Sequence, residues 1–171
     1  YMVNSPKILM EGNELYAINQ KAIYLDASDS GTVQNNSFHG DMVAIYSYSS
    51  DSLLLQVNSI VNNSIGIVLE QSTNAQINDN SIENNTRAGL RIANYSNGVN
   101  LFSNTIKWNG IGVKVTNSNY ITLYNNTLYN NSMRIDKGNN NIIVRNSIQN
   151  ASYGIYLFSS ISNELYNNSI W

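Results

Sequence analysis

The sequence predicts an all-β solenoid: a stack of about seven parallel coils, each built from three short strands and lined by an internal asparagine ladder. Three observations carry this. Asn36, Asn58, Asn80, Asn104, Asn126, Asn146 and Asn168 recur every 20 to 24 residues, each followed by Ser or Thr and then a large apolar residue. Two apolar columns keep step with them, one three positions before each Asn (Val33, Leu55, Ile77, Leu101, Leu123, Ile143, Leu165) and one two positions after (Phe38, Ile60, Ile82, Ile106, Leu128, Ile148, Ile170). A third apolar block (Ile23/Leu25, Ile45, Ile67/Leu69, Leu90/Ile92, Val113/Val115, Met133/Ile135, Ile155/Leu157) shows the spacing of two that belongs to strands. Like residues at like positions in successive units require stacking in register.

Within a coil the elements follow in order. A small residue (Ala22, Ala44, Gly66, Gly89, Gly112, Ser132, Gly154) opens the first strand where the chain must turn tightly. The first strand follows, then a turn holding Ser28, Ser50, Ser72, Ser96, Ser118 or Ser160, a column expected to form a serine ladder broken only by Gly138. The second strand leads to the recurrent Asn. A buried Asn amide stacked at about 4.8 Å can donate to the next Asn, so the column satisfies itself, and Asn tolerates the left-handed backbone of a tight corner. Ser37, Ser59, Ser81, Thr105, Thr127, Ser147 and Ser169 then open the third strand and are expected to form a further ladder. The domain is expected to be single, 1–171, with full coils over 22–171 and a partial coil over 7–21 in which Met10, Asn13 and Leu15 take the core and ladder columns. Open terminal coils lack caps, so the sequence predicts either a segment of a longer protein or a unit that self-associates end to end.

Segments such as Gly66-Ile67-Val68-Leu69 and Gly154-Ile155-Tyr156-Leu157, followed by a Ser turn and the Asn-Ser/Thr-apolar unit, resemble the repeats of the right-handed parallel β-helix, the pectate-lyase-like superfamily. The resemblance covers about residues 7 to 171. It implies a right-handed coil and, in the enzymes of the superfamily, a substrate cleft along the first sheet. Similar repeats occur in polysaccharide lyases and hydrolases, surface-layer and adhesin proteins, phage tailspikes and periplasmic nitrous-oxide-reductase maturation proteins, so the resemblance specifies fold more than function.

Composition removes several functions. Charged residues make up 12% of the chain while Asn alone occurs 32 times, and the formal net charge is −2. No basic run exists to track phosphates and no amphipathic Lys/Arg helix to lie on a membrane, so neither nucleic acid nor membrane is an expected partner. With no Cys and a single His, no disulfide or transition-metal ligand set can be assembled, and no cofactor is implied. His39 falls in an outward column with Val61, Glu83, Lys107, Tyr129, Gln149 and Trp171, which makes it a surface residue rather than a triad member. Asp79 and Glu83, on either side of Asn80, read as a solvated edge.

Candidate chemistry lies on the outward face of the first strand. One outward column reads Tyr24, Tyr46, Val68, Arg91, Lys114, Arg134, Tyr156, and the next Asp26, Tyr48, Glu70, Ala93, Thr116, Asp136, Phe158. Aromatic faces suit sugar rings and interspersed cations suit acidic sugars, which makes Tyr24, Tyr46, Tyr48, Arg91, Lys114, Arg134, Tyr156 and Phe158 candidates for binding a polysaccharide or cell-envelope glycan. The competing reading is plain strand surface, with Glu70 paired to Arg91 and Asp136 to Lys114 or Arg134. Asp26 and Glu70, two coils apart in one column, lie about 9 to 10 Å apart at the backbone, which permits an inverting carboxylate pair at roughly 6.5 to 9.5 Å. Eight Asn-x-Ser/Thr patterns, at Asn35, Asn62, Asn84, Asn94, Asn125, Asn130, Asn150 and Asn167, are candidate glycosylation sites, most of them generated by the repeat itself. The regular columns favour an exported or cell-surface structural module of a fibrous, surface-layer or adhesin-like protein. The alternatives are a module that binds or cleaves polysaccharide on the first sheet, and a self-assembling filament subunit.

Overall fold

The computed structural model describes residues 1–171. Twenty-four strands form three parallel sheets of eight strands each, and in every sheet neighbouring strands come from successive coils. The architecture is that predicted, with one coil more. Met2–Val3 pairs with Leu25–Asp26 in the first sheet, and Leu9–Glu11 and Glu14–Tyr16 complete the same coil in the second and third. The isolated apolar pair Met2–Val3 carries too little repeat to mark a strand by pattern alone.

The registers reproduce the columns. Along the first sheet Tyr24 pairs with Tyr46, Tyr46 with Val68, Val68 with Arg91, Arg91 with Lys114, Lys114 with Arg134 and Arg134 with Tyr156. Inward residues of all three sheets merge into one core of 28 buried side chains, with Phe38 the bulkiest. Small residues at the strand openings are a steric requirement: a Cβ on Gly66 would stand 2.6 Å from the Gly89 carbonyl oxygen of the next coil.

The asparagine ladder is continuous from Asn13 to Asn168. Each backbone N–H donates to Oδ1 of the Asn one coil on at 2.9 to 3.1 Å. From Asn36 to Asn146 each Nδ2 also donates to that Oδ1 and to a carbonyl of the preceding coil, as Asn58 does to Val33. A second ladder, which the sequence reading did not separate out, runs five positions further along: Asp41, Asn63, Asn85, Asn109 and Asn131 accept in turn from the backbone of the coil before.

Three expectations change. The left-handed backbone belongs to the residue just before the ladder Asn, including Val57 (φ 54°), Asp79 and Arg145, because the chain must reverse before the amide can point inward. The serine ladder holds from Ser28 to Ser96, is interrupted, and resumes only where Gly138 donates to Ser160 Oγ. The Ser37-to-Ser169 column is no ladder. Its hydroxyls lie on the outer surface, and Ser81 Oγ donates to Glu83 instead.

Candidate functional site

The outward face of the first sheet divides into two halves. In the first, Tyr24 and Tyr46 stack at 5.4 Å, with the Lys21 ammonium 4.6 and 4.2 Å from their ring centroids. Tyr46 also packs on an outward apolar patch of Val43, Ile65, Val68 and Ala88 and donates its hydroxyl to Glu70. Glu70 receives Arg91 Nη2 at 3.0 Å on its other oxygen. Burial, and then the Glu70 carboxylate, push the Tyr46 phenol well above its ordinary value, so it is a donor and not a base. Burial and Asp26, which accepts the Tyr24 hydroxyl at 3.3 Å, push the Tyr24 phenol the same way. Aromatic faces expected to meet a sugar are thus occupied by one another and by Lys21. Both acids of the Asp26–Glu70 column hold phenols, and Tyr48 stands between them in register.

The second half is open. Thr105 pairs with Thr127, 22 positions on, in the third sheet, but Val113 pairs with Met133, 20 on, in the first. The corner of Asn130, Asn131 and Ser132 is therefore two residues short, and Gly110 and Ile111 have no counterpart in it. Full length returns one coil later, where Met133 pairs with Ile155. The gap is a recess of about 420 Å³ lined by Gly110, Ile111, Ser132, Arg134, Ser152, Tyr153 and Tyr156. Beside it and sharing Ile111 lies a second recess, about 340 Å³, bounded by Arg87, Arg91, Asn94 and Lys114. Arg87 reaches it because its corner is one residue long: Ser59 pairs with Ser81, 22 on, but Ile67 with Leu90, 23 on. The 24-residue step from Asn80 to Asn104 is thus shared between this corner and the one around Tyr95 to Gly98.

No carboxylate lines either recess. Arg91, Lys114 and Arg134 are direct register partners, about 4.8 Å apart per coil, where like charges repel. Glu70 offsets Arg91, and Asp136 accepts Arg134 Nε at 2.8 Å. Lys114, between them, and Arg87 form no ion pair. Tyr156 lies under the Arg134 guanidinium at 5.2 Å and tilts against Tyr153 at 6.0 Å, and Phe158 is exposed further along the same strand. Sequence reading placed Arg91, Lys114, Arg134 and Tyr156 on this face and missed Arg87 and Tyr153, which sit on corners; the uneven repeat length was the signal for them.

The remaining candidates fall elsewhere. His39 stacks on Tyr16 at 5.3 Å and lies 3.4 Å from Glu14, on the third sheet. No three His, Asp or Glu side chains converge as metal ligands would. Asn35, Asn62, Asn84, Asn94, Asn125, Asn130, Asn150 and Asn167 are all exposed, each at a left-handed corner with φ between 50° and 59°.

Eight parallel strands in each of three sheets, wound as one coil over internal amide ladders, define a β-helix. The right-handed β-helix family model matches residues 1–128 and again 90–171, and the chain belongs to that family. No curated protein sequence matches it. Among solved structures, a mutant of the periplasmic alginate epimerase AlgG superposes with a TM-score of 0.86 at 21% identity, over 99% of this chain and 46% of that one. The mannuronan C-5 epimerase AlgE6 A-module of Azotobacter vinelandii follows at 0.74 and 13%, over 97% and 58%. DFA-IIIase from Arthrobacter chlorophenolicus A6, in complex with GF2, superposes at 0.67 and 15%, over 84% and 40%. At these identities the likeness establishes the fold, and the chain spans less than half of AlgG.

Proposed function

We propose that this chain is an exported β-helix module that binds an acidic polysaccharide in the basic groove of its first sheet. The observation that carries the reading is the stacked run Arg91, Lys114, Arg134, with Arg87 beside it, around two adjoining recesses that no carboxylate lines. Such a run is self-repelling, and two of its four cations have no partner in the fold. A polyanion laid along the coil axis neutralises them, with Tyr156 and Tyr153 as the apolar edge for a sugar ring. Structural neighbours named as an alginate epimerase and a mannuronan epimerase, the first periplasmic by its name, support both substrate class and export. The groove binds rather than cleaves: neither recess presents a carboxylate or imidazole, Asp26 is held by Tyr24, and Glu70 is held by Tyr46 and Arg91.

Titration calorimetry with oligouronates from alginate and from pectate tests this. Each of Arg91→Ala, Lys114→Ala and Arg134→Ala is expected to weaken binding roughly fivefold, about 1 kcal/mol, and added salt to weaken it further. Absence of binding to both polymers, or binding that the triple substitution leaves unchanged, overturns the reading.

A second reading, a purely structural surface module, is favoured by the unbroken ladder from Asn13 to Asn168. It shares the fold and differs in leaving the groove empty, so the same titration separates the two.

A further inference from the structure

Around the corner from the basic groove, Trp108 breaks a pattern. Four positions after the ladder Asn, neighbouring coils carry Asn62, Asn84, Asn130 and Asn150, all left-handed; Trp108 takes that place with φ 52°. Asn adopts this conformation readily, whereas a bulky side chain does so against steric strain. Here the backbone is held by the coil stack, through the Trp108 N–H donated to the Tyr129 carbonyl at 3.1 Å. The indole remains 48% exposed.

Tyr129, the register partner of Lys107, stands with its ring centroid 5.9 Å from the indole at an interplanar angle of 81°, so one ring forms a floor and the other a wall. The recess between them is about 300 Å³ and is completed by Lys107 and the exposed Thr127. Lys107 Nζ lies 5.8 Å from the indole centroid and 4.0 Å from Glu83 of the preceding coil. Glu83 offsets this charge from outside the recess, and the lining itself offers an ammonium, a hydroxyl and a phenol.

This combination fits a neutral sugar. A pyranose ring presents an apolar face of C–H groups to an aromatic plane and a rim of hydroxyls that both donate and accept. An oligouronate gains little here, because the Lys107 ammonium is already offset by Glu83. A second protein copy needs about 800 Å² per partner, far more than two rings supply.

We propose that the Trp108–Tyr129 recess is a second saccharide site, taking a neutral pyranose unit and independent of the basic groove. The chain has two tryptophans, so Trp171→Phe leaves Trp108 as the reporter. Cellohexaose, mannohexaose and maltohexaose are titrated in turn while indole emission is followed. The expected result is a saturable blue shift with at least one of them, at a Kd on the order of 1 mM. Tyr129→Ala weakens it by up to about tenfold. Trp108→Asn, which restores the residue of the adjacent coils, abolishes calorimetric binding of that sugar while raising Tm by about 2–4 °C. Oligouronate binding survives Trp108→Asn, and hexasaccharide binding survives Arg91→Ala.

Any of four results overturns the proposal: no saturable response to the three sugars, sugar binding intact in Trp108→Asn, sugar binding lost in Arg91→Ala, or a blue shift on raising protein concentration alone. The last would identify a second copy as the occupant.

Discussion

Asp41 shows how far one atom matters in a ladder. Asn63, Asn85 and Asn109 turn Nδ2 toward carbonyls of the preceding coil, at Phe38, Ile60 and Ile82. Asp41 takes the same column with an oxygen in place of that nitrogen, and its Oδ2 is buried without a partner. Burial raises its pKa above the ordinary 3.8, against the lowering effect of the Ile18 N–H and of His39. A carboxyl with a raised folded value costs no stability below the unfolded value. Its cost grows as pH rises from the unfolded toward the folded value, and stays constant above. Asp41→Asn is therefore expected to stabilise the protein at pH 7 by about 1 kcal/mol and to gain progressively less toward pH 3.5, measured by urea unfolding at several pH values. Val57 makes the companion case. It is a β-branched residue at φ 54°, where the equivalent positions hold Asn35, Asn125 and Asn167, so Val57→Asn is expected to raise stability by about 1 kcal/mol. The ladder asparagines were legible because every coil repeats them. The left-handed residue before them was not, because stacking dictates its backbone whatever its side chain.

At the scale of the strand and corner, the ladders work as elements of their own. Removing the Asn104 amide leaves the buried Asn80 N–H without its acceptor and takes from the Ile77 carbonyl the Nδ2 that donates to it, while Asn80 Nδ2 keeps the Leu55 and Asn78 carbonyls. Asn104→Ala is expected to cost about 3 kcal/mol or more, against about 1 kcal/mol or less for the half-buried neighbour Ser103→Ala, by denaturant midpoints. The second ladder escaped sequence reading because Asn63, Asn85 and Asn131 each follow another Asn, and composition alone does not say which of a pair turns inward. Corners matter as much as strands, since the larger recess exists only because Asn130 to Ser132 is two residues short. Inserting Gly-Ile between Asn131 and Ser132, after the pattern of Gly110-Ile111, is expected to close that recess and to lower oligouronate affinity about tenfold with little change in Tm. Unchanged affinity in the insertion variant would place the ligand elsewhere.

Across the whole molecule, charge and shape are sorted by face. The chain carries a formal net charge of −2, yet Arg87, Arg91, Lys114 and Arg134 gather on one half of one sheet. Affinity for oligouronates is expected to rise with oligomer length until the ligand spans the four coils from Arg87 to Tyr156, about 14 Å, and then to level off, a dependence that calorimetry on size-fractionated oligomers reads directly. The repeat by itself determined the parallel coil, its three sheets, the inward columns and the register of Arg91, Lys114 and Arg134, because stacking makes every coil a copy of the constraint on the next. Only the tertiary structure decided which half of the face is open. Tyr24 and Tyr46 close over Lys21 and Glu70 through side-chain packing that no periodicity encodes, while small changes in corner length, two residues here and one there, set where neighbouring coils part and leave room for a ligand.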